Sequence, residues 1–395
     1  MILGSVLIVI IFLILLLVID FKLGRRDHLA KQRFLPFDLT TGNYQLYKNG
    51  SPLYEDLCQD IANAKHHVDV FFYVINIDKA GRMLLDSLKK KAREGAEVRL
   101  LGDRLGCYQI NKKVRQELEE AGVQFKFAEV PKFPFLFYKI NRRNHRKIAV
   151  IDGKIGYFGG YNVGRVYMGD SSYFQDWRDY HLRVTGPVVA DLHKTFLDDW
   201  GLAAKEADEP YIRNREAEHT VRIVATDGGE LEDDLFEMIQ NARVEILIGT
   251  PYFIPTEMLL AALKEAIDRG VKVHLMIPMK PDHPLVKEAG LPFMYELYRH
   301  GGSVNFFDAG FYHAKLMLVD RTFAYLGTSN FDRRSFFLNK EVNMYIYEDV
   351  FVEDLRNAYM DDVKDARALD EEWIARRGLS VKIKEQIAKL FRPIL

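Results

Sequence analysis

The hydrophobic pattern begins with an uninterrupted apolar run at the N-terminus. Residues 1–19 contain no charged side chain, and a helix needs about 20 such residues to cross the hydrocarbon core of a bilayer. A cleaved signal peptide is the alternative, but no basic residue precedes the run and no small-x-small site follows it. We therefore predict a transmembrane anchor over 1–20, followed by a polar connector over 21–41.

Beyond the connector, short apolar runs alternate with helical stretches. Residues 63–101 fit a strand, a helix, a glycine turn and a second strand, and 241–276 repeat that order. The apolar runs are rich in Val, Ile and Phe and are bounded by turns, as is typical of buried strands. The alternation predicts an α/β fold of two similar lobes, each a mostly parallel sheet flanked by helices. The predicted units are a first lobe at 42–210, a second lobe at 211–370 and an amphipathic tail at 371–395.

A polar motif occurs once in each predicted lobe. Each copy has a histidine, a lysine, an aspartate and an asparagine at identical spacing. The residues are His145, Lys147, Asp152 and Asn162 in the first lobe and His313, Lys315, Asp320 and Asn330 in the second. Alternate residues of a strand share a face, so the histidine and lysine of each copy point the same way. The two aspartates stand beside a turn; we count them among the candidate catalytic residues, although a turn-capping or supporting role is the favoured interpretation.

One copy of the motif is incomplete for cleavage of a phosphoester. Displacement at phosphorus needs a nucleophile on one side and an acid for the leaving group on the other, and two imidazoles supply both. The lysines and asparagines would bind the phosphoryl oxygens. We therefore predict a single active site at the seam between the lobes.

Each imidazole also needs an acceptor for its other nitrogen. Two carboxylates open the strands that follow the motifs, so we predict that Asp179 orients His145 and that Glu341 orients His313. A solvated strand end is the alternative for each carboxylate.

Composition narrows the choice of partners. The net charge is −1 and the pI is about 6.8, whereas nucleic-acid-binding proteins usually carry a basic surplus. Two cysteines, Cys58 and Cys107, are too few for a disulfide framework and lack the spacing of zinc ligands. No sequence motif for ATP or NAD binding occurs. We thus expect no nucleic acid, no metal and no cofactor. Basic residues outnumber acidic ones just after the apolar run, which predicts a cytoplasmic body.

Two further segments have the composition of membrane-contacting elements. Aromatic and basic residues are interleaved over 131–146, which suits a loop at the headgroup level, with a core-packing loop as the alternative. The C-terminal tail has an apolar helical stripe, which fits equally a membrane surface or packing on the body. The stripe consists of Ile383, Ile387, Leu390, Phe391 and Ile394.

The repeated H-x-K-x4-D motif, each copy followed by a small-residue turn and Asn, resembles the phospholipase D superfamily. The strings at 144–164, 177–187, 250–273, 280–286 and 327–343 are similar to its bacterial cardiolipin synthase branch, and the likeness extends from about residue 42 to the end. The first copy has Gly160 where many members of the superfamily have serine.

The resemblance implies a membrane enzyme that transfers a phosphatidyl group between two phosphatidylglycerol molecules, giving cardiolipin and glycerol. It implies a phosphohistidine intermediate without a metal, in which His145 attacks and His313 protonates the leaving glycerol. A phospholipase D-type hydrolase would use the same motifs. A nuclease is a further alternative, which the neutral net charge disfavours. A catalytically idle, membrane-tethered binding protein is another, which the intact motifs disfavour.

Overall fold

The computed structural model describes residues 2–174, 176–205 and 217–392, and the side chains of 2–4 and 391 are outside the description. The predicted boundary between residues 210 and 211, the side chain of Phe391 and all of Ile394 therefore lie outside the described residues.

Helices and strands alternate along most of the chain. The helices are α1 (Ile2–Leu29), α2 (Gly50–Asn63), α3 (Lys79–Arg93), α4 (Lys112–Glu120), α5 (Leu136–Asn141), α6 (Val188–Ala204), α7 (Leu231–Asn241), α8 (Glu257–Asp268), α9 (Val286–Arg299), α10 (Arg333–Phe337), α11 (Asp349–Val363), α12 (Glu371–Ala375) and α13 (Leu379–Phe391), with a 3-10 turn at Arg165–Met168. The strands are β1 (Thr40–Tyr47), β2 (His67–Phe72), β3 (Glu97–Asp103), β4 (Gln124–Ala128), β5 (Lys147–Ile151), β6 (Ile155–Gly159), β7 (Trp177–Arg178), β8 (His181–Thr185), β9 (His219–Asp227), β10 (Glu245–Gly249), β11 (Phe253–Ile254), β12 (Lys272–Pro278), β13 (Ser303–Phe307), β14 (Phe311–Tyr312), β15 (Leu316–Val319), β16 (Phe323–Gly327), β17 (Phe331–Asp332), β18 (Lys340–Ile346) and β19 (Ala366–Ala368).

The two predicted lobes share one continuous sheet of 15 strands. The first lobe, from β1 to α6, contributes the order β1-β8-β6-β5-β2-β3-β4, and the second, from β9 to β19, contributes β9-β18-β16-β15-β10-β12-β13-β19. Strands β1 and β9 pair antiparallel at the seam. The predicted α/β fold of two similar lobes is therefore confirmed.

The sheet is mixed, whereas the alternation of apolar runs and helices predicted mostly parallel strands. Among the described strands of this sheet, only β2-β3-β4 and β10-β12-β13 pair in parallel. Each motif strand instead turns tightly into its successor, β5 into β6 and β15 into β16. A tight hairpin can join only antiparallel neighbours, so the motif itself makes that part of each lobe antiparallel.

A single buried cluster joins the lobes under the seam. Helix α6 contributes Phe196 and Trp200 to this cluster, and α11 contributes Leu355 and Tyr359. Buried side chains of the motif strands β5 and β15 belong to the same cluster. Because close-packed interiors resist displacement, this shared core fixes one motif strand relative to the other.

Residues 5–19 of helix α1 are exposed along their whole length, whereas Phe21 packs against Phe137 and Tyr138 of the body. Helix α1 is the one helix in the described chain that is long and apolar enough to span a membrane, with a mean hydropathy of 3.1. Its polar end docks on the body of the protein, where Asp20 accepts a hydrogen bond from the Tyr138 backbone N–H at 2.9 Å. Just after the helix, Gln32 donates to the Asp227 carbonyl at 3.1 Å. The helix continues to Leu29, so the first part of the predicted connector is helical.

Three of the basic residues in the 131–146 segment point into the protein, whereas Lys132 is exposed. Arg142, Arg143 and Arg146 are buried and form ion pairs inside the protein. Phe133, by contrast, is 82% exposed. The interleaved pattern thus combines an exposed aromatic tip with internal cations, because a buried arginine is tolerated where carboxylates pair with it.

The C-terminal helix α13 packs on α9 through its small and polar face. Ala388 and Glu385 are buried, and Glu385 is paired with Arg377 at 3.2 Å. The predicted apolar stripe faces outward at Ile383 and Leu390, of which the latter is 78% exposed. The helix therefore both contacts the body and leaves its stripe uncovered by the described residues.

Candidate active site

The first motif histidine meets a carboxylate from the other lobe. His145 Nδ1 lies 3.0 Å from Glu341 Oε2. Glu341 is fully buried and accepts further hydrogen bonds from the Thr328 hydroxyl at 2.6 Å, the Ser335 hydroxyl at 2.9 Å and the Asn339 amide at 3.3 Å. This network holds the carboxylate, and hence the imidazole, in one orientation.

The second motif histidine is oriented by the first lobe. His313 Nδ1 lies 2.5 Å from Asp179 Oδ2, and Asp179 is fully buried. The predicted pairing of Asp179 with His145 and of Glu341 with His313 is therefore wrong: both carboxylates orient a histidine, but each crosses to the other lobe.

The crossing follows from backbone contacts at the seam. The N–H of His145 donates to the carbonyl of Lys340 at 2.9 Å, which places His145 beside Glu341. The N–H of His313 donates to the carbonyl of Arg178 at 2.7 Å, which places His313 beside Asp179. The residues just before each motif strand thus pair with the backbone of the other lobe, through an isolated bridge between Asn144 and Lys340 and through the short β7–β14 pair, and each histidine faces that lobe's carboxylate.

Both motif lysines lie beneath the histidines. Lys147 Nζ donates to the His145 carbonyl at 2.8 Å, and Lys315 Nζ donates to the His313 carbonyl and lies 3.7 Å from Asp179. Both side chains are almost fully buried, and neither is among the described residues that line the catalytic cavity. Burial lowers the pKa of both lysines, to about 8 for Lys315, and their protonated side chains place positive charge below the imidazoles.

The motif aspartates are outside the site, at the far ends of the motif strands. Asp152 accepts hydrogen bonds from the backbone N–H groups of residues 65–67 at 2.7–3.0 Å. Asp320 accepts from those of residues 243–245 at the same distances. Both have positive φ, 52° and 53°, in the turn that follows the strand. They cap the start of the neighbouring strand, so the turn-capping interpretation replaces their place among the catalytic candidates.

The two asparagines lie at the cavity, each with one amide atom anchored. Asn162 Oδ1 accepts from the Val74 N–H at 3.2 Å, and Asn330 Nδ2 donates to Asp332 at 3.3 Å. An amide nitrogen carries two hydrogens. Each asparagine can therefore donate to an anion in the cavity while its other contact holds the side chain.

Gly160 is required by the Asp179 carboxylate. A Cβ at this position would lie 1.9 Å from Asp179 Oδ1. The equivalent residue of the second copy is Thr328, whose hydroxyl supports Glu341. The sequence difference between the two copies thus corresponds to two different ways of holding the orienting carboxylate.

Two buried aspartates that the sequence analysis did not single out stand behind the site. Asp199, from α6, accepts from Arg146 at 2.8 Å and from Lys340 at 2.9 Å. These cations are the neighbours of His145 and Glu341 in sequence. Asp362, from α11, accepts from the Tyr180 hydroxyl at 2.7 Å. A paired Asp-Asp occurs in both helices, at 198–199 and 361–362, and this repeat was the available signal.

The histidines line a common cavity of about 460 Å³ between the lobes. Asn162 and Asn330 line it too, together with aromatic residues and Asp282. Its size fits a phosphoglycerol headgroup, with room for a hydroxyl acceptor. Each Nδ1 contacts a carboxylate, and His313 Nδ1 also lies 2.7 Å from Lys315 Nζ, so Nε2 is the nitrogen left for chemistry on each ring.

Burial dominates the electrostatics of the site. It lowers the pKa of His145 and of His313, in the latter case with help from the Lys315 charge. Burial also raises the pKa of Asp179 to about 6, against the opposing effect of Lys315. For Glu341, burial opposes ionisation but is outweighed by His145, so its pKa lies below the ordinary value. The site thus has one firmly ionised carboxylate and one that is close to titration.

One other group of side chains has the composition of a metal site. Among the described residues, His67, Asp69 and His193 bring ligand atoms within 4.8 Å of one another. Arg99 contacts both carboxylate oxygens of Asp69, at 2.6 and 3.0 Å. An arginine in that position repels a cation, so the cluster is a buried ion-pair network.

Comparison with known proteins agrees with this geometry. The family model described as "Cardiolipin synthase, PLD-like domain" matches residues 57–200 and 235–363, one segment in each lobe. The chain belongs to this family. A cardiolipin synthase 2 of Staphylococcus epidermidis is 38% identical over 368 residues, covering 90% of this chain and 75% of the relative. A cardiolipin synthase of Staphylococcus aureus is 39% identical, covering 90% and 74%.

Solved structures confirm the fold over nearly the whole chain. A phosphatidylserine synthase of Haemophilus influenzae aligns with a TM-score of 0.70 at 16% identity, covering 94% of this chain and 99% of that one. A polyphosphate kinase of Porphyromonas gingivalis aligns with a TM-score of 0.57 at 12% identity, covering 90% and 53%. Together with the apolar helix α1, membership of the cardiolipin synthase family indicates a membrane-anchored protein.

Proposed function

We propose that this protein is a cardiolipin synthase that transfers a phosphatidyl group from one phosphatidylglycerol to another and releases glycerol. The observation that carries the proposal is the crossed pair of histidine–carboxylate contacts facing one cavity. Relatives at 38–39% identity carry the same activity in their names.

In the first step, His145 Nε2 attacks the phosphorus of the donor lipid. A P–N bond forms while the bond from phosphorus to the glycerol oxygen breaks, and His313 Nε2 gives that oxygen its proton. Glu341 faces the cationic ring of the phosphohistidine and stabilises it because its carboxylate is ionised. Burial lowers the pKa of His313 and so favours loss of its proton. The negative charge of the bound phosphodiester raises this pKa and so favours the protonated ring that the step needs.

In the second step, a hydroxyl of the acceptor lipid attacks the phosphorus. His313 takes the hydroxyl proton, the P–N bond breaks and His145 is regenerated. The spare amide hydrogens of Asn162 and Asn330 bind the equatorial phosphoryl oxygens, and the buried lysine charges stabilise them from beneath. No metal or cofactor enters either step.

The proposed setting is the cell membrane, with α1 spanning it once and the body on the cytoplasmic side. The basic residues that follow the apolar run support this orientation. Docking of the polar end of α1 against α5 keeps the body close to the bilayer that contains the substrate.

The test is turnover of labelled phosphatidylglycerol by the purified, detergent-solubilised protein in the presence of a chelator. Cardiolipin and glycerol in equal amounts are expected from the wild type, with none from the His145→Ala and His313→Ala variants. Phosphatidic acid as the sole product would instead establish the hydrolase alternative. Activity that survives in both variants would refute the paired-histidine mechanism.

A further inference from the structure

Asp282 stands apart from the other polar residues of the catalytic cavity. Histidines, arginines and amides of the cavity wall suit an anion, and Asp282 and Asp332 are the two carboxylates among the described lining residues. Asp282 adds a carboxylate to that wall, from the segment between β12 and α9. A phosphodiester repels a carboxylate, so Asp282 must face a different part of the substrate.

The Asp282 carboxylate is held at one oxygen only. Oδ2 accepts a hydrogen bond from the Tyr252 hydroxyl at 2.5 Å. Oδ1 is sheltered from solvent and has no hydrogen-bond partner among the described residues. A buried acceptor without a donor carries a substantial free-energy cost, which a ligand hydroxyl at this position would remove.

The other carboxylate in the cavity wall is fully engaged. Asp332 Oδ1 accepts from the Ser335 N–H at 2.8 Å, and Oδ2 accepts from Asn330 at 3.3 Å. Asp332 is thus a support for the phosphate-binding asparagine. Asp282 alone of the two has an oxygen left for a ligand.

The corresponding loop of the first lobe lacks this feature. Asp103, the last residue of β3, is fully buried and accepts from Arg143 at 3.1 Å and from the N–H groups of residues 105, 106 and 144. Its charge is neutralised within the protein. The free carboxylate oxygen therefore belongs to the second lobe, beside His313.

Asp282 is near the proposed acid–base residue. Its charge raises the pKa of His313, although burial and Lys315 lower it further. In the proposed mechanism, glycerol leaves and the acceptor hydroxyl enters on the side of His313. A glycerol headgroup has a second hydroxyl next to the reacting one, whereas water has none.

We propose that Asp282 Oδ1 accepts a hydrogen bond from this second hydroxyl and thereby selects glycerol-type acceptors over water and simple alcohols. This deepens the proposed function and rests on it. During transfer, the reacting hydroxyl gives its proton to His313 as its oxygen bonds to phosphorus, while the neighbouring hydroxyl remains bound to Asp282. A site that hydrogen-bonds a substrate hydroxyl discriminates strongly against ligands that lack it.

The experiment compares two acceptors in one assay. Phosphatidylglycerol in mixed micelles is supplied with labelled glycerol and ethanol, and headgroup exchange is measured against phosphatidylethanol formation. Ethanol offers only the reacting hydroxyl. The wild type is expected to prefer glycerol, and Asp282→Asn to lower that preference by about 10-fold to 100-fold through loss of a charged acceptor. Phosphatidylethanol formation should change much less.

Two further variants keep the test sharp. Tyr252→Phe frees the carboxylate from its support and should lower the same preference by a smaller factor. Asp361→Asn, at an exposed pair with Lys364, should leave it unchanged. Equal loss towards both acceptors in Asp282→Asn would overturn the inference, because it would mean a general effect on the site. The inference would also be overturned if Asp282→Asn kept the wild-type preference for glycerol over ethanol.

The outcomes also separate this inference from the proposed function. A wild type that forms no cardiolipin would refute the proposed function, yet a glycerol preference that depends on Asp282 would still support the inference. A wild type that forms cardiolipin, with an Asp282→Asn variant of unaltered acceptor preference, would refute the inference alone.

Discussion

His145 and His313 each face a buried carboxylate from the opposite lobe, but the two lobes hold that carboxylate by different means. Glu341 receives side-chain donors from three residues in addition to His145. Asp179 has the backbone N–H of Tyr180 at 2.8 Å and a lysine at 3.7 Å. Duplicated motifs have therefore produced two unequal ends of one site.

The different support of the two carboxylates bears on which histidine acts as the nucleophile and which as the acid and base. A histidine that becomes covalently phosphorylated carries a lasting positive charge, which a firmly ionised carboxylate stabilises. A histidine that gives and takes a proton in each turnover works best when it binds that proton neither tightly nor weakly at the working pH. A neighbouring carboxylate that is itself close to titration helps to provide this intermediate proton affinity. The support around Glu341 suits His145 as the nucleophile, and the sparse support around Asp179 suits His313 as acid and base.

Removing the imidazoles should have the largest effect. His145→Ala and His313→Ala are each expected to lower turnover of phosphatidylglycerol by at least about 10⁴-fold, since catalytic groups that act as a unit fail together. A phosphatidyl ester of p-nitrophenol, whose leaving group needs no proton, separates their roles. His313→Ala should then accumulate acid-labile label on the protein, and His145→Ala should not.

The control for this pair is His66→Ala, which changes an exposed histidine outside the cavity. Label on His145→Ala with none on His313→Ala would reverse the assigned roles. Label on neither would remove the phosphohistidine from the mechanism.

The second effect concerns the aspartates behind the site. Asp199→Asn leaves Arg146 and Lys340 buried without their shared anion, which should lower the free energy of unfolding by about 3–5 kcal/mol. Asp362→Asn keeps an amide oxygen that can accept from the Tyr180 hydroxyl and removes a charge whose cations, Arg178 and Lys48, are partly exposed and 3.7–3.8 Å away, so it should cost only about 1 kcal/mol. Urea unfolding in detergent, followed by tryptophan fluorescence, measures both.

The adjacent aspartates provide matched controls. Asp198→Asn and Asp361→Asn alter carboxylates whose shortest ion pairs, to Arg33 and Lys364, are exposed, and the further contact of Asp361 with Lys48 is 3.7 Å long, so the free energy of unfolding should change by about 0.5 kcal/mol or less. The pKa of Asp199 is lowered to about 2, because Arg146 and Lys340 outweigh its burial. Its contribution to stability should thus persist down to about pH 4 and disappear as the pH falls towards 2. Equal losses in Asp199→Asn and Asp362→Asn would contradict the asymmetry between the lobes.

The third effect tests the residue that differs between the motif copies. Gly160→Ser places a Cβ within 1.9 Å of the present position of Asp179 Oδ1, so the carboxylate must move away from His313. We expect kcat to fall about 100-fold, as misplacement by about an ångström does. Thr328→Val removes one hydrogen bond from Glu341 and should lower kcat by about 10-fold.

Thr328→Ser is the control, because it retains the hydroxyl and should keep nearly full activity. A Gly160→Ser variant as active as the wild type would mean that Asp179 need not stand where it does.

The repeated histidine and lysine spacing was enough to predict two lobes and one shared site. It was not enough to assign Asp179 and Glu341 correctly, because the pairing depends on backbone contacts between the lobes. Side-chain alternation reports only which face of its own strand a residue occupies. The strand pairing was misjudged for a related reason: burial on both faces is common to parallel and to central antiparallel strands.

The smallest effect is a difference in pH dependence between the two carboxylates. Burial raises the pKa of Asp179 to about 6, whereas that of Glu341 lies below its ordinary range. As the pH falls through about 6, Asp179 gains a proton and loses the charge that orients His313, so kcat/KM of the wild type should fall about 10-fold between pH 6 and 5. The residual activity of Asp179→Asn should lack this acidic limb, and that of Glu341→Gln should retain it. If both variants lose the limb, the two ends of the site titrate as one coupled system, and the independent roles given to the lobes no longer hold.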